Sequence, residues 1–270
     1  IYAPTQAARN LQFEIAHMVG LETEQVRVHS VAVGGDFGAR VRACEIEVLA
    51  SHLSHKTGQP VKIELSRDEE FAHTKHQHGS SIELETAVDD QGKFLSRKAS
   101  LIFENGAFIH GSANTMSYCS LLLSSQYRLL AAEIEGKSVY LNRRTGGSFR
   151  GAGGPQAVFA IESQIDEIAE HLDLDPIELR LKNVNHSGDH TITGWEIGSA
   201  HVDECIKAVR DKLDWDNSRH LRGSGRGVGI AVAMHVSGAV VSPASCRAEA
   251  AIEISHNGAI TLFTGSSDPG

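Results

Sequence analysis

Apolar positions recur at helical spacing from the start of the chain. Leu11, Ile15 and Val19 share one stripe behind Thr5, which serves as an N-cap, and Gly20 is a stop signal; together they predict a helix from Thr5 to Gly20. The period then changes. From Val26 to Val33 the apolar residues mostly alternate, predicting a strand, and Gly34-Gly35-Asp36-Phe37-Gly38 turns the chain into a helix from about Arg40 to His55. Residues 61–65 read as a buried strand, and residues 80–88 pair with 93–103 across the turn Asp89-Asp90-Gln91-Gly92. Residues 111–130 mix Ser and Leu without a clean period and support no assignment.

A second glycine loop, residues 145–154, leads through Pro155 into a helix whose stripe is Ile161, Ile165, Ile168 and Leu172. Proline suits a first helical turn because its missing N–H had no intrahelical partner there. Asp175-Pro176-Ile177-Glu178 predicts a capped helix with Glu178 reaching back in a capping box, ending near Asn183. A polar, glycine-bearing stretch over 185–193 suits a linker, and a helix over 202–213 precedes a glycine-rich boundary at 223–227. Residues 228–236 and a hairpin over 247–263, turning at His256-Asn257-Gly258, begin a second sheet-based unit. The fold class expected is α+β, mixed sheets with packed helices.

With 270 residues and 41% hydrophobic content the chain can bury a sizeable core. Its 25 Lys+Arg against 34 Asp+Glu give a net charge of −9, and no basic run concentrates the positive residues, which argues against nucleic-acid binding. No stretch approaches the roughly 20 apolar residues needed to cross a bilayer, and residues 1–6 lack the pattern of a leader, so a soluble, cytoplasmic protein without membrane contact is expected. Cys44, Cys119, Cys205 and Cys246 are scattered without a C-x-x-C pair, so no zinc ribbon or iron-sulfur cluster is encoded. The chain opens without Met and stops in the loop 264–270, from which a truncated polypeptide is expected.

Two loops attract chemical attention. Glycines after a strand let backbone N–H groups approach a ligand, and a helix N-terminus behind them favours anions, so an anionic group could bind between Gly34 and Ala39. Gly-Gly-x-Phe-Gly is neither the dinucleotide loop nor the Walker loop, and a plain strand-to-helix turn accounts for it equally well. In the second loop Arg150, with Arg143 and Arg144 upstream, could clamp an oxyanion; a solvated surface arginine is the simpler reading of that loop alone. His73, His76 and His78 have no standard zinc spacing, and no metal ligand is assigned to them. Arg67-Asp68-Glu69-Glu70 is taken as a solvated face with no catalytic role.

Taken together, the two loops are more specific than either alone. Gly34-Gly35-Asp36-Phe37-Gly38-Ala39-Arg40 resembles the Gly-Gly-x-Phe-Gly-Gly-Lys loop, and Phe149-Arg150-Gly151-Ala152-Gly153-Gly154-Pro155-Gln156 the Phe-Arg-Gly-Phe-Gly-x-Pro-Gln loop, of the molybdenum-cofactor subunit of the xanthine dehydrogenase and aldehyde oxidase family. Thr5-Gln6, Pro60-Val61-Lys62, the acidic stretch 67–70, Glu162, Asp166-Glu167, Asp175-Pro176 and Arg180 follow the same order. The resemblance implies a first molybdopterin-binding subdomain over 1–185, then a linker and the truncated start of a second over 186–270. It implies oxidation of an aldehyde or aromatic heterocycle, with water as the oxygen source. By matching position, Gln6, Gly35, Phe37, Gly38, Phe149, Arg150, Gly151 and Gly270 are expected to contact molybdopterin or its cytosine dinucleotide form, with no direct metal ligand. The family's general-base glutamate would lie beyond residue 270, so the piece alone is expected to be inactive and without cofactor. Iron-sulfur and FAD groups are expected only in partner subunits of a hetero-oligomer.

Departures narrow the expectation. Ala39-Arg40-Val41 replaces Gly-Lys-Glu, which disfavours xanthine, and Ala152 stands where many members carry an aromatic against the substrate. Gly151 occupies the place of the copper-binding cysteine of carbon monoxide dehydrogenases. The alternatives are a reductive member resembling 4-hydroxybenzoyl-CoA reductase and a non-catalytic scaffold homologue.

Overall fold

The computed structural model describes residues 1–219, 225–235 and 249–265. Its chain divides into two units, one formed by Ile1–Gln77, Gly147–Arg150 and Val236–Gly270, the other by His78–Gly146 and Gly151–His235. Helices and small sheets are mixed in both, which is the α+β class expected from the sequence.

In the first unit the opening stripe forms the helix Ala8–Val19, burying Leu11, Ile15 and Ala16. Gly20 ends it at φ 77°, a left-handed turn that glycine makes at no steric cost. Thr5 is not the N-cap of that helix; Ala7 holds the position, and the Thr5 hydroxyl accepts from the Ala7 N–H at 3.1 Å. A small core gathers Ala3, Leu11, Ile15, Ala16, Val26 and Ala43. The strand expected over residues 26–33 shrinks to His29–Ser30, paired in parallel with Tyr2–Ala3. Residues 61–65 belong to no helix or strand and join no ladder among the described residues, and their side chains alternate between half-buried and exposed. Both misreadings have one cause. Alternation records a fit to a neighbouring strand, and only Tyr2–Ala3 offers one here.

The expected helix at Arg40 begins at Glu45 instead and runs to Thr57. Glu47 accepts the Cys44 N–H at 2.8 Å, which closes the helix start. The acidic stretch 67–70 opens the helix Arg67–His73: Ser66 Oγ accepts from Glu69 N–H, Glu69 accepts from Ser66 N–H, and Arg67 pairs with Glu70. In the described part of the final segment, Ala250–Ile254 and Ile260–Thr264 form the expected hairpin, with Gly258 at φ 83° in its turn.

The second unit is built on a three-stranded sheet. Ser80–Val88 and Phe94–Gly106 pair antiparallel from Ser80 opposite Phe103 to Val88 opposite Phe94, close to the predicted hairpin. The third strand, Ala131–Tyr140, runs parallel to Phe94–Gly106. A parallel pair needs a long crossover, and the helix Ser112–Ser125 supplies it. This is the stretch that showed no period. Its apolar residues Cys119, Leu122 and Leu123 are buried together with Ser112, Thr115, Ser124 and Ser125, and Ser124 returns its hydroxyl to the Ser120 and Leu121 carbonyls. A helix covered on several sides has no polar face to set the rhythm.

The helix Gly154–His171 packs on Ser112–Ser125, burying Ile161 and Ile165, while Ile168 is half-buried. Pro176–Asn183 follows with Asp175 accepting from Ile177 N–H at 2.7 Å. Glu178 does not complete the predicted capping box; it turns to Arg210 at 3.4 Å. The helix Val202–Leu213 matches its expected bounds. Residues 225–235 contain no strand, and residues 223, 224, 236, 247 and 248 of the predicted boundary and sheet lie outside the described residues. No described helix is long and apolar enough to cross a membrane.

Burial of charge fixes the centre of this unit. Arg180 is fully buried and donates Nε to Glu162 Oε2 at 2.8 Å, with a second pair to Asp166 at 2.8 Å. Glu162 also accepts from Tyr127 Oη at 2.7 Å, Gln126 Nε2 at 2.9 Å and Val232 N–H at 2.9 Å. Burial is the largest single influence and pulls the guanidinium down, but the charge and hydrogen bond of Glu162, joined by Tyr127 and Asp166, together outweigh it and leave Arg180 above its ordinary range. With both carboxylate oxygens so occupied, Glu162→Ala strands Arg180 in the interior. Loss of about 3–5 kcal/mol in denaturant unfolding of the full chain is expected, whereas the half-exposed Asp166→Ala should cost about 1 kcal/mol or less.

Candidate functional site

Three segments distant in sequence meet in the first unit. The first glycine loop is held from within by Asp36, which is 2% exposed. Its carboxylate accepts the N–H of Gly38 at 3.0 Å and of Arg40 at 2.6 Å, while its carbonyl accepts the N–H of Ala39 at 2.9 Å. Within the span 34–39 the amides of Gly38 and Ala39 are thus already engaged, and the helix expected directly behind the loop starts only at Glu45. The loop supplies its own anion, and of the five residues 40–44 expected to be helical, three form a turn or bend and two belong to no element. Phe37 consequently stands at φ 52°, a left-handed conformation that costs a side-chain-bearing residue strain. Its ring folds back toward Gly35, where a Cβ would lie 3.1 Å from Cε2.

The second segment is the part of the second glycine loop that belongs to this unit. Gly38, at φ 99°, comes so close that a Cβ on it would lie 3.1 Å from the Ser148 carbonyl oxygen and 3.6 Å from Phe149 Cα. Phe37 and Phe149 stack with centroids 6.4 Å apart and planes at 29°, and both remain substantially exposed. Arg150 is exposed, and no hydrogen-bond or ion-pair partner engages its guanidinium among the described residues. The third segment reaches the loop through Thr5. Its hydroxyl donates to the Arg40 carbonyl at 3.1 Å and its own carbonyl accepts from Ser30 Oγ at 2.9 Å, which sets half-buried Gln6 beside the first loop.

The structure therefore brings the segments of Gln6, Gly35, Phe37, Gly38, Phe149 and Arg150 together. Gly151 belongs to the second unit, at φ 89°, where a Cβ would meet Pro155 Cδ at 2.7 Å. Gly270 lies outside the described residues. Of the arginines upstream of Arg150, Arg143 pairs with Glu104 at 2.8 Å within the second unit. Of the three histidines, His73 ends a helix and His78 is buried with Nδ1 2.9 Å from the Glu104 carbonyl. Among the described residues no group of three or more His, Cys, Asp or Glu could hold a metal ion.

Asp36 is the residue sequence reasoning passed over. It occupies the unspecified position of the loop pattern, yet an aspartate two residues before a glycine commonly bonds the backbone ahead of it. Nearby, burial and the Glu47 charge raise the Cys44 thiol, which keeps it protonated and unreactive. A cleft of about 680 Å³ in the same unit, lined by residues such as Leu21, Val26, Ile46 and Val61, includes none of the predicted site residues.

A family model described as "Molybdopterin cofactor-binding domain" matches residues 1–184. The xanthine dehydrogenase molybdenum-binding subunit of Escherichia coli O157:H7 is 32% identical over 247 residues, covering 88% of this chain and 32% of that protein. Aldehyde oxidoreductase from Desulfovibrio gigas superposes with a TM-score of 0.86 at 25% identity, over 97% of this chain and 29% of that one. Quinoline 2-oxidoreductase from Pseudomonas putida 86 gives 0.87 at 22% identity, over 100% and 37%, a likeness of fold. The chain thus spans about a third of the length of the curated relatives it matches.

The loop contact makes a paired prediction. Gly38→Ala must place a methyl against Ser148 in a left-handed conformation and should cost about 1–2 kcal/mol in thermal or denaturant unfolding. Gly34, with open space around its Cα and no positive φ, should accept alanine within about 0.5 kcal/mol.

Proposed function

Because the chain belongs to the molybdopterin cofactor-binding domain family, we propose that it contributes one wall of the cofactor site of an oxidoreductase that oxidises an aldehyde or aromatic heterocycle with oxygen from water. The observation that carries this reading is the meeting of the two glycine loops, Gly38 against Ser148 and Phe37 against Phe149, with Thr5 tying Gln6 to the same place.

The donor set suits an anionic, flat cofactor. Arg150 brings a guanidinium without a counter-ion among the described residues, in a segment with little bulk around it, which fits a phosphate or an oxyanion. The Gln6 amide orients oxygen atoms without adding charge that would disturb a redox centre. The rings of Phe37 and Phe149 exclude water from one side. When bound, the molybdenum carried by molybdopterin would supply the redox-active centre, and the residues here would bind and orient it; Gly35 and Gly38, lacking side chains, make room for the Phe37 ring and the Ser148 carbonyl that shape this wall. Gly151 and Gly270 complete the same reading as further cofactor contacts.

This reading extends to the whole protein. Residues 1–185 are taken as the first molybdopterin-binding subdomain, a limit the match over 1–184 supports, and 186–270 as a linker and the start of a second. The cofactor is molybdopterin or its cytosine dinucleotide form. Electrons leave through iron-sulfur and FAD groups, which we place on partner subunits; the four cysteines within these residues form no cluster motif. The assembly is a cytoplasmic hetero-oligomer acting on a small molecule.

Metal and pterin analysis of the full natural protein tests the proposal. Wild type expressed with ample molybdenum should carry about one molybdenum and one pterin per chain, and Gln6→Ala and Arg150→Ala should each retain the cofactor about 10-fold to 100-fold more weakly, the usual range for outer-sphere supports. Wild type that carries neither metal nor pterin would sink the proposal.

A further inference from the structure

We infer that Asp36 is the positioning residue of this site: its buried carboxylate takes the place of an outside anion and sets the first glycine loop in its binding shape before any ligand arrives. The inference rests on the cofactor reading above and deepens it, since nothing in the loop pattern or the family match assigns a role to this position.

The geometry carries the argument. Asp36 Oδ2 accepts from Gly38 N–H at 3.0 Å and Oδ1 from Arg40 N–H at 2.6 Å, so each oxygen fixes a different turn of the loop. Bonds to an ionised acceptor are stronger than bonds between neutral groups. At 2% exposure, water cannot readily replace the carboxylate. These bonds hold the chain through two conformations it would otherwise leave, the left-handed Phe37 at φ 52° and Gly38 at φ 99°. Phe37 meets Phe149 and Gly38 meets Ser148 through those same conformations. The Arg40 N–H and carbonyl are then both engaged, the first by Asp36 and the second by Thr5, so one residue's peptide groups couple the carboxylate to the segment bearing Gln6. Loss of the carboxylate should therefore loosen all three contacts together and leave the helices Ala8–Val19 and Glu45–Thr57 in place, since neither helix depends on it for a cap.

The test compares wild type, Asp36→Ala and Asp36→Asn in the full natural protein, by hydrogen exchange of peptides and by pterin content. In Asp36→Ala the peptide over 37–41 should exchange at least 10-fold faster while both helices keep their rates, and pterin content should fall at least fivefold. Asp36→Asn keeps one acceptor oxygen and should lie between the two in both measurements. Unchanged exchange over 37–41 overturns the inference. So does acceleration spread equally through both helices, which marks a general structural role, and so does faster loop exchange with full pterin content. Wild type without pterin removes the functional reading, whereas the exchange comparison still decides whether Asp36 holds the loop.

Discussion

The approach of Gly38 to the Ser148 carbonyl is the contact on which the site depends. A Cβ there would sit 3.1 Å from the oxygen, so the two loops touch backbone to backbone, closer than any residue with a side chain permits without a shift. Everything else at the site follows from that distance. Phe37 and Phe149, one residue away on each loop, are carried into stacking range, and Arg150 is placed next to the pair. The segment 147–150 is compact with the first unit although the residues on both sides of it belong to the second. Four residues thus join the first loop, and a pattern spread over more than a hundred positions of sequence becomes one local arrangement.

What could be read from sequence divides along a physical line. Features set by local chemistry were legible: the left-handed stop at Gly20, the hairpin joining residues 80–88 to the strand beyond Gly92, the proline-led helix at 154 and the helix over 202–213. Features set by neighbours were not. Val26 to Val33 alternates like a strand, yet only His29 and Ser30 find a partner, and Ser112–Ser125 lost its period because its serines are buried beside its leucines. At the level of motif the meeting of segments was legible for Gly35, Gly38 and Arg150, which the structure gathers in the first unit. The internal logic of the site was not. Composition suggests that amides 34–39 reach out to an anion, whereas Asp36 already occupies those of Gly38 and Arg40, and only the distances distinguish a loop that waits for charge from one that contains it.

The two units solve the problem of buried charge in different ways. In the second, Glu162 is surrounded by Arg180, Tyr127, Gln126 and the Val232 N–H, and the sheet and helices close over a satisfied cluster. Arg97, in the same unit, is nearly as deeply buried but among the described residues meets only the Thr86 hydroxyl and the Leu123 carbonyl, and burial brings its guanidinium down to about 10. The difference lies in the acceptors: a carboxylate compensates a buried guanidinium, whereas a hydroxyl and a carbonyl compensate it in part. In the first unit Asp36 is the converse case, a buried carboxylate that among the described residues is satisfied by backbone N–H groups alone, with no cation in direct contact.

That last difference bears on why Arg150 has no counter-ion among the described residues. Arg40 faces Glu47 at 3.9 Å, and Arg42 is held by Glu14 at 2.9 Å. Had Asp36 needed a guanidinium, the nearest loops would have supplied one, and the positive charge beside the site would have been neutralised within the fold. Because peptide N–H groups satisfy it instead, the loop is ordered without drawing on Arg150. Exposed pairs such as Arg42 with Glu14 contribute about 1 kcal/mol or less to stability, so committing those side chains does little for the fold, while Arg150, without a counter-ion among the described residues, follows Phe149, whose ring stacks on Phe37.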